Sequence, residues 1–280
     1  MARIAERFAL LQQQGRKALI PFITAGDPQP RVTVPLLHTL VDAGADLLEL
    51  GIPFSDPMAD GPVIQQGNER ALKNHVNLNI VLEMVTEFRA KDENTPIVLM
   101  GYLNPIEVMG YQRFAEKAAR SGVDGLITVD LPPEESEPLC RVLHNHALDP
   151  IFLLAPTSTA KRIDLIINCA RGFVYYVALR GVTGAGNLNV EEVKQKLLAI
   201  RRHTALPLGV GFGINSPEAA ARVAEFADAV IVGSAVVKRI ADLAAYPDKI
   251  KPEIATFIGS LRAAMDKVAR AAAPAAEVRR

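Results

Sequence analysis

Asp46-Leu47-Leu48-Glu49-Leu50-Gly51, running on into Ile52-Pro53-Phe54-Ser55-Asp56-Pro57-Met58-Ala59-Asp60-Gly61-Pro62, reads as a buried strand that empties into a stiff, acidic turn. Side chains alternate along a strand, so Leu48 and Leu50 share one face while Leu47 and Glu49 share the other. Glu49 thus stands where a buried strand carries Leu or Val. An unpaired carboxylate there is costly as the anion, so burial raises its pKa. A raised pKa suits a general acid working near neutral pH. The turn that follows holds three prolines and presents Asp56 and Asp60 as polar contacts.

Outward from this run, short apolar segments alternate with amphipathic ones along the whole chain. Strands are expected over 18–24, 47–51, 97–102, 125–129, 151–154, 173–177, 208–211 and 229–232. Between them apolar residues recur at helical spacing, as in Val34, Leu37 and Val41, or Leu78, Val81, Leu82, Val85 and Phe88. Gly44 and Gly122 stand at helix stops, each just ahead of an aspartate, Asp46 or Asp124. The strand runs are continuously apolar, as in a parallel sheet covered on both faces. Eight such βα units without a composition break predict an α/β protein with a single (β/α)8 TIM barrel. A doubly wound open sheet is the rival, and periodicity alone does not exclude it. A leading helix over 2–14 is expected to plug the barrel floor. Ile254, Phe257, Ile258, Leu261, Met265 and Val268 form the stripe of a closing helix. The expected domain is 1–270, followed by a frayed Ala-rich tail, 271–280, broken by Pro274.

The composition narrows the function. With 280 residues, 49% of them hydrophobic, the chain can fill a large core, and 31 basic residues balance 31 acidic ones. No basic block makes a case for nucleic acid. The apolar runs are far short of the roughly 20 residues a membrane helix needs, and Arg3, Glu6 and Arg7 interrupt any signal-peptide pattern. Cys140 and Cys169 lack metal-ligand spacing and read as reduced thiols of a cytoplasmic protein. His144 and His146, two apart, do not share a helix face as ligand pairs do, so no metal site is expected.

In such barrels the chemistry lies at the carboxyl ends of the strands and in the loops after them. Glu49, Asp56 and Asp60 fall there after the second strand, and Tyr102 after the third. Tyr175 lies in the sixth, which leads into the glycine-rich loop Leu179-Arg180-Gly181-Val182-Thr183-Gly184-Ala185-Gly186-Asn187, long enough for a lid. Gly209-Val210-Gly211-Phe212-Gly213-Ile214 ends the seventh and Gly233-Ser234 the eighth. Glycines let backbone N–H groups approach an anion, and a helix start favours one; Ser216-Pro217 is a good cap. Two such elements on adjacent strands make a phosphate cradle. Blander readings exist for each residue. A buried Glu can be structural, Asp before Pro or Gly is common in turns, and the tyrosines can be core aromatics.

The stretch Glu49 to Pro62, with Pro21-Phe22-Ile23-Thr24-Ala25-Gly26-Asp27-Pro28, Gly181-Val182-Thr183-Gly184 and Gly211-Phe212-Gly213-Ile214, resembles the tryptophan synthase alpha subunit family over roughly residues 1 to 268. The resemblance implies a lyase that cleaves indole-3-glycerol phosphate into indole and glyceraldehyde 3-phosphate. It implies Glu49 and Asp60 as catalytic residues, with Thr183 holding Asp60 when the lid closes. Phe22, Met100, Ile127, Val129, Leu153 and Phe212 would form the indole slot, lined by Tyr102 and Tyr175. Gly184, Gly211, Gly213, Gly233 and Ser234 would bind the phosphate. No cofactor is implied for this subunit. A beta subunit carrying pyridoxal phosphate is implied as partner, in an α2β2 assembly that passes indole through an internal channel, with the loop around Asp56 and the lid near the contact. Two positions depart from the pattern: Ala178 where many relatives carry Ser, and Met58 where Leu is common. A phosphosugar isomerase on the same barrel would share the cradle but need a second acid/base, for which Asp130 is on offer. A non-catalytic activating subunit would need no buried acid.

Overall fold

The parity of the 47–51 run decides how the sheet closes. In a computed structural model, describing residues 3–178, 190–211 and 213–272, Leu47 joins the cluster inside the barrel, whereas Leu48 and Leu50 pack outward under the helices. The strands are β1 (Ala18–Thr24), β2 (Leu48–Gly51), β3 (Ile97–Gly101), β4 (Gly125–Thr128), β5 (Asp149–Leu154), β6 (Val174–Val177), β7 (Leu208–Gly211) and β8 (Ala229–Val232). Each pairs in parallel with the next, and β8 returns to β1, so the sheet is a closed barrel and not the open rival. The helices are α1 (Arg3–Gln13), α2 (Pro30–Asp42), α3 (Pro62–Lys73), α4 (Leu78–Arg89), α5 (Leu103–Met109), α6 (Tyr111–Ser121), α7 (Glu137–Asn145), α8 (Ala160–Cys169), α9 (Val190–Arg201), α10 (Pro217–Ala224), α11 (Ser234–Asp242) and α12 (Ile250–Ala272).

Strand ends differ from the sequence expectation by one or two residues. Tyr102 stands beyond β3 as the N-cap of α5, and Val129 follows β4 while still bonding Gly101 O through its N–H at 3.0 Å. Phe173 precedes β6 yet remains buried inside. Hydrophobic runs mark burial, and burial outlasts the ladder at either end. α12 includes Ala271 and Ala272, past the break expected at 270, since alanine is the best helix former. The remainder of the expected tail lies outside the described residues.

α1 does close the floor. Its Ile4, Phe8 and Leu11 pack against Ala18, Ile20, Leu47, Val98, Ile127, Ile151, Phe173, Ala229 and Ile231. The rim there is laced by a repeated device. Asp46, Asp124 and Asp228 stand just ahead of β2, β4 and β8, and each accepts the N–H of a residue in the strand before its own. Leu19 N donates to Asp46 at 2.9 Å, Ile97 N to Asp124 at 2.8 Å and Leu208 N to Asp228 at 2.9 Å. Asp124 also takes Arg3 Nη1 at 2.8 Å and Arg89 Nη2 at 2.7 Å. Asp124→Ala therefore strands a largely buried guanidinium and a strand N–H together. A loss of about 3–5 kcal/mol is expected by denaturant unfolding; a loss below 1 kcal/mol would mean that Arg89 finds new partners.

With the floor at the amino ends of the strands, their carboxyl ends and the loops after them lie at the opposite end. No helix among the described residues is long and apolar enough to cross a membrane.

Candidate active site

Glu49 sits on the inner face of β2, in register with Phe22 on β1 and Val98 on β3. It is 2% exposed, and its Oε2 is buried without a hydrogen-bond partner. Burial first, and then the charge of Asp60, push its carboxyl up to about 8. Near pH 7 it is a neutral acid with a proton to give.

Asp60 follows in the loop, half-buried. The loop turns tightly on Asp60 N to Pro57 O at 3.0 Å, and Tyr102 Oη accepts Ala59 N–H at 2.9 Å. With that acceptor filled, the phenol proton is free for Asp60, whose carboxylate it bonds; Asn68 Nδ2 is the second donor, at 3.3 Å. Burial raises the Asp60 pKa and these two donors lower it. Tyr102 also stacks on Phe54, ring centroids 5.1 Å apart. Asp56 is exposed and accepts Ser55 Oγ at 2.5 Å, an ordinary turn contact.

The wall above the floor comes from inward positions of successive strands. Met100, Val129, Leu153 and Tyr175 are half-buried and rest on the inner cluster, and Phe22 packs against Gly51, where a side chain would strike its ring. Ile127 lies on the same face but is fully buried, so it forms the floor of the slot rather than its wall. Tyr175 lays its hydroxyl against Gly211 of neighbouring β7. Burial and the neighbouring Glu49 hold its phenol well above the ordinary tyrosine range, so it stays a neutral hydroxyl.

The glycines meet this wall directly. A Cβ on Gly211 would collide with Tyr175 Oη, and one on Gly233 would touch Phe22 Cβ at 3.6 Å. Gly213 has φ +69°, a conformation that favours glycine. Ser216 caps α10 by accepting Ala219 N–H, with Pro217 next, as the sequence pattern expects. Gly233 is the N-cap of α11 and Ser234 its exposed first residue, so the helix begins at the carboxyl end of β8. Phe22, in register with Glu49, thus also adjoins Gly233, and Tyr175, which senses the Glu49 charge, lies against Gly211. Gly211→Ala is expected to displace Tyr175 and raise KM for a phosphorylated substrate about tenfold or more, as steady-state kinetics would read. An unchanged KM would remove Gly211 from the cradle.

Thr183, Gly184 and Phe212 lie outside the described residues. Ala178, one of the two departures from the family pattern, is buried and donates its N–H to Gly211 O at 3.1 Å. Asp130, the acid/base an isomerase would need, accepts Leu103 N–H at 2.8 Å and is engaged in holding α5. Among the described residues, no group of three or more His, Cys, Asp or Glu side chains is placed to hold a metal. A cavity of about 700 Å³ opens at the opposite end, beside Phe8, Lys17 and Leu206. It contains no residue of the acid pair, so chemistry and not volume locates the site. Sequence reading passed over Asn68, Gln65, Arg70 and Tyr102's grip on the loop.

The alpha chains of tryptophan synthase from Thioalkalivibrio sulfidiphilus and Nitrosococcus oceani are 61% and 59% identical to this chain over 266 residues. Those matches cover 95% of it and 100% and 98% of theirs. The crystal structure of tryptophan synthase subunit alpha from Legionella pneumophila superposes with a TM-score of 0.89 at 47% identity, covering 95% of this chain and 99% of that one. A tryptophan synthase structure from M. tuberculosis, in its aminoacrylate-bound form, matches with a TM-score of 0.84 at 32% identity, covering 95% and 100%. The family model described as tryptophan synthase alpha chain matches residues 8–266, and with relatives this similar over nearly its whole length, the chain belongs to the tryptophan synthase alpha chain family.

Proposed function

We propose that this chain is a carbon–carbon lyase of tryptophan biosynthesis that cleaves indole-3-glycerol phosphate to indole and glyceraldehyde 3-phosphate. The observation that carries the reading is Glu49, a buried, neutral acid without a partner, set against an ionisable Asp60 at an apolar mouth. The carbon–carbon bond at indole C3 breaks readily once C3 is protonated. Glu49 gives that proton, and positive charge develops on the ring nitrogen. The Asp60 carboxylate accepts the indole N–H bond and stabilises that charge. Glu49, now the carboxylate, takes the proton of the glycerol hydroxyl on the bond's other carbon. That hydroxyl becomes the aldehyde, the bonding pair returns to the ring, and Glu49 ends protonated as it began.

The indole ring lies among Phe22, Met100, Val129, Leu153, Tyr175 and Phe212, over Ile127, with Tyr102 at the rim. Gly184, Gly211, Gly213, Gly233 and Ser234 take the phosphate, and Thr183 joins Asp60 on closure. This chain needs no cofactor of its own for these steps. Its partner is a beta subunit, in an α2β2 assembly that carries pyridoxal phosphate on the beta side and receives indole through an internal passage. The assembly works in the cytoplasm. Channelling suits indole, which is small, apolar and otherwise lost by diffusion.

The test is indole release from indole-3-glycerol phosphate, with and without a beta subunit. Release that rises with the partner supports both reaction and assembly. A rearranged sugar phosphate, or no product in either condition, would overturn the reading.

A further inference from the structure

α3 touches both loops that shape one side of the mouth. Toward the loop after β2, Gln65 Nε2 donates to Asp60 O at 2.9 Å, and Asn68 turns Nδ2 to Asp60 Oδ2. Asn68 is 4% exposed, a buried amide on a helix whose other buried residues are Gly67 and Ala71. Toward the loop after β1, Arg70 forks onto Asp27, with Nε to Oδ1 at 2.6 Å and Nη2 to Oδ2 at 2.9 Å. Asn74 Nδ2 adds a bond to Pro28 O at 3.0 Å. Between these grips lies Gly67, where a Cβ would stand 3.1 Å from both Asp27 Oδ2 and Thr24 Oγ1. Helix and strand end are therefore drawn closer than a larger residue allows.

A buried ion pair contributes little net stability, because desolvation offsets the attraction. A two-point fork fixes orientation as well as distance, which a single contact does not. Asp60 needs such support because it sits on a loop, where aim is poorer than on a strand. The choice of donor is also informative. A lysine or arginine beside Asp60 would neutralise the field it directs at a substrate N–H. An amide orients the carboxylate and leaves its charge intact, and the Tyr102 phenol is a second neutral donor.

We propose that α3 is the positioning element of Asp60: Asn68 aims the carboxylate, and the Asp27–Arg70 fork fixes the helix that carries Asn68. This rests on the reading that Asp60 acts on the indole N–H. Asn68, Asp27 and Arg70 are positioning residues that act through Asp60.

The experiment is a double-mutant cycle. Asn68→Ala and Arg70→Lys are each made alone and in an Asp60→Asn background, and indole release is followed in the presence of the beta subunit. Unfolding midpoints are recorded alongside. Arg70→Lys keeps the charge opposite buried Asp27 and removes only the fork. Asn68→Ala is expected to lower kcat about tenfold, and Arg70→Lys about threefold, with KM within about twofold of wild type. Both effects should vanish in the Asp60→Asn background, since the carboxylate they aim is gone. Where Asn68→Ala fails to fold, Asn68→Ser is read the same way. A kcat loss that persists at full size without the Asp60 carboxylate overturns the proposal, as does an unchanged kcat in Asn68→Ala. Wild-type protein that releases no indole overturns the proposed function itself. An Asp60→Asn protein as fast as wild type overturns the premise on which α3 positioning rests, while leaving the lyase reading in place.

Discussion

Glu49→Gln is expected to slow indole release by roughly 10²–10⁴-fold, the range that a positioned acid/base contributes. The substitution keeps the shape of the side chain and removes the proton. Since Glu49 acts on the reacting carbon and not on the phosphate, KM should stay close to wild type. In the wild type, kcat should fall as pH rises through the Glu49 pKa of about 8, because the acid form is consumed. The variant's residual rate should lack that limb. Cleavage by Glu49→Gln at a near wild-type rate would remove Glu49 from the chemistry.

The same substitution should stabilise the fold. Burial raises the native pKa from 4.5 to about 8, so between those values the unfolded chain releases a proton that the native one keeps. Stability is therefore lost as pH rises from 4.5 toward 8, and the penalty at pH 7 is about 3 kcal/mol. Glutamine carries no such penalty. Glu49→Gln should unfold at higher denaturant than wild type at pH 7, with the two converging near pH 4.5. Equal midpoints at pH 7 would mean that the native carboxyl is already ionised. A gain in stability coupled to a loss of rate is what an acid held in an apolar strand for its chemistry should show.

Much of this was legible in the residues. Period two put Leu47 and Glu49 on the face opposite Leu48 and Leu50 from sequence alone, whereas Phe22, Met100, Ile127, Leu153 and Tyr175 entered as a slot only through the family resemblance. Element ends were less legible at Leu47 and Phe173, buried before their ladders begin, and at Tyr102, buried after its ladder stops. Distant pairings were not legible at all. Asp27 and Arg70 lie 43 residues apart, and Asn68 in a helix reads as a solvated polar residue until the loop it holds is seen. The floor aspartates are an intermediate case. Asp46 and Asp124 were visible as residues following a helix-ending glycine, but that each reaches a neighbouring strand's N–H follows only from the closed barrel.

Asp60→Asn separates shape from charge at the second position. The amide oxygen can still accept the indole N–H bond, so ground-state binding and KM should change little. What is lost is the full negative charge facing the cation that forms when C3 is protonated. Charge aimed at a developing charge is worth far more inside a site shielded from water than on a surface. A fall in kcat of about 10²-fold is therefore expected, at the low end of what one electrostatic group contributes. The loss should be smaller than for Glu49→Gln, since the proton donor remains. The substitution also removes the Asp60 charge that helps raise the Glu49 pKa. The basic limb of the pH–rate profile should consequently move to lower pH, by less than burial contributes. Single-turnover indole release across pH measures both effects. If Asp60→Asn proved more damaging than Glu49→Gln, the two roles would have to be exchanged, with Asp60 moving the proton and Glu49 answering the charge. A limb that stays in place would show that the two carboxyls do not sense one another.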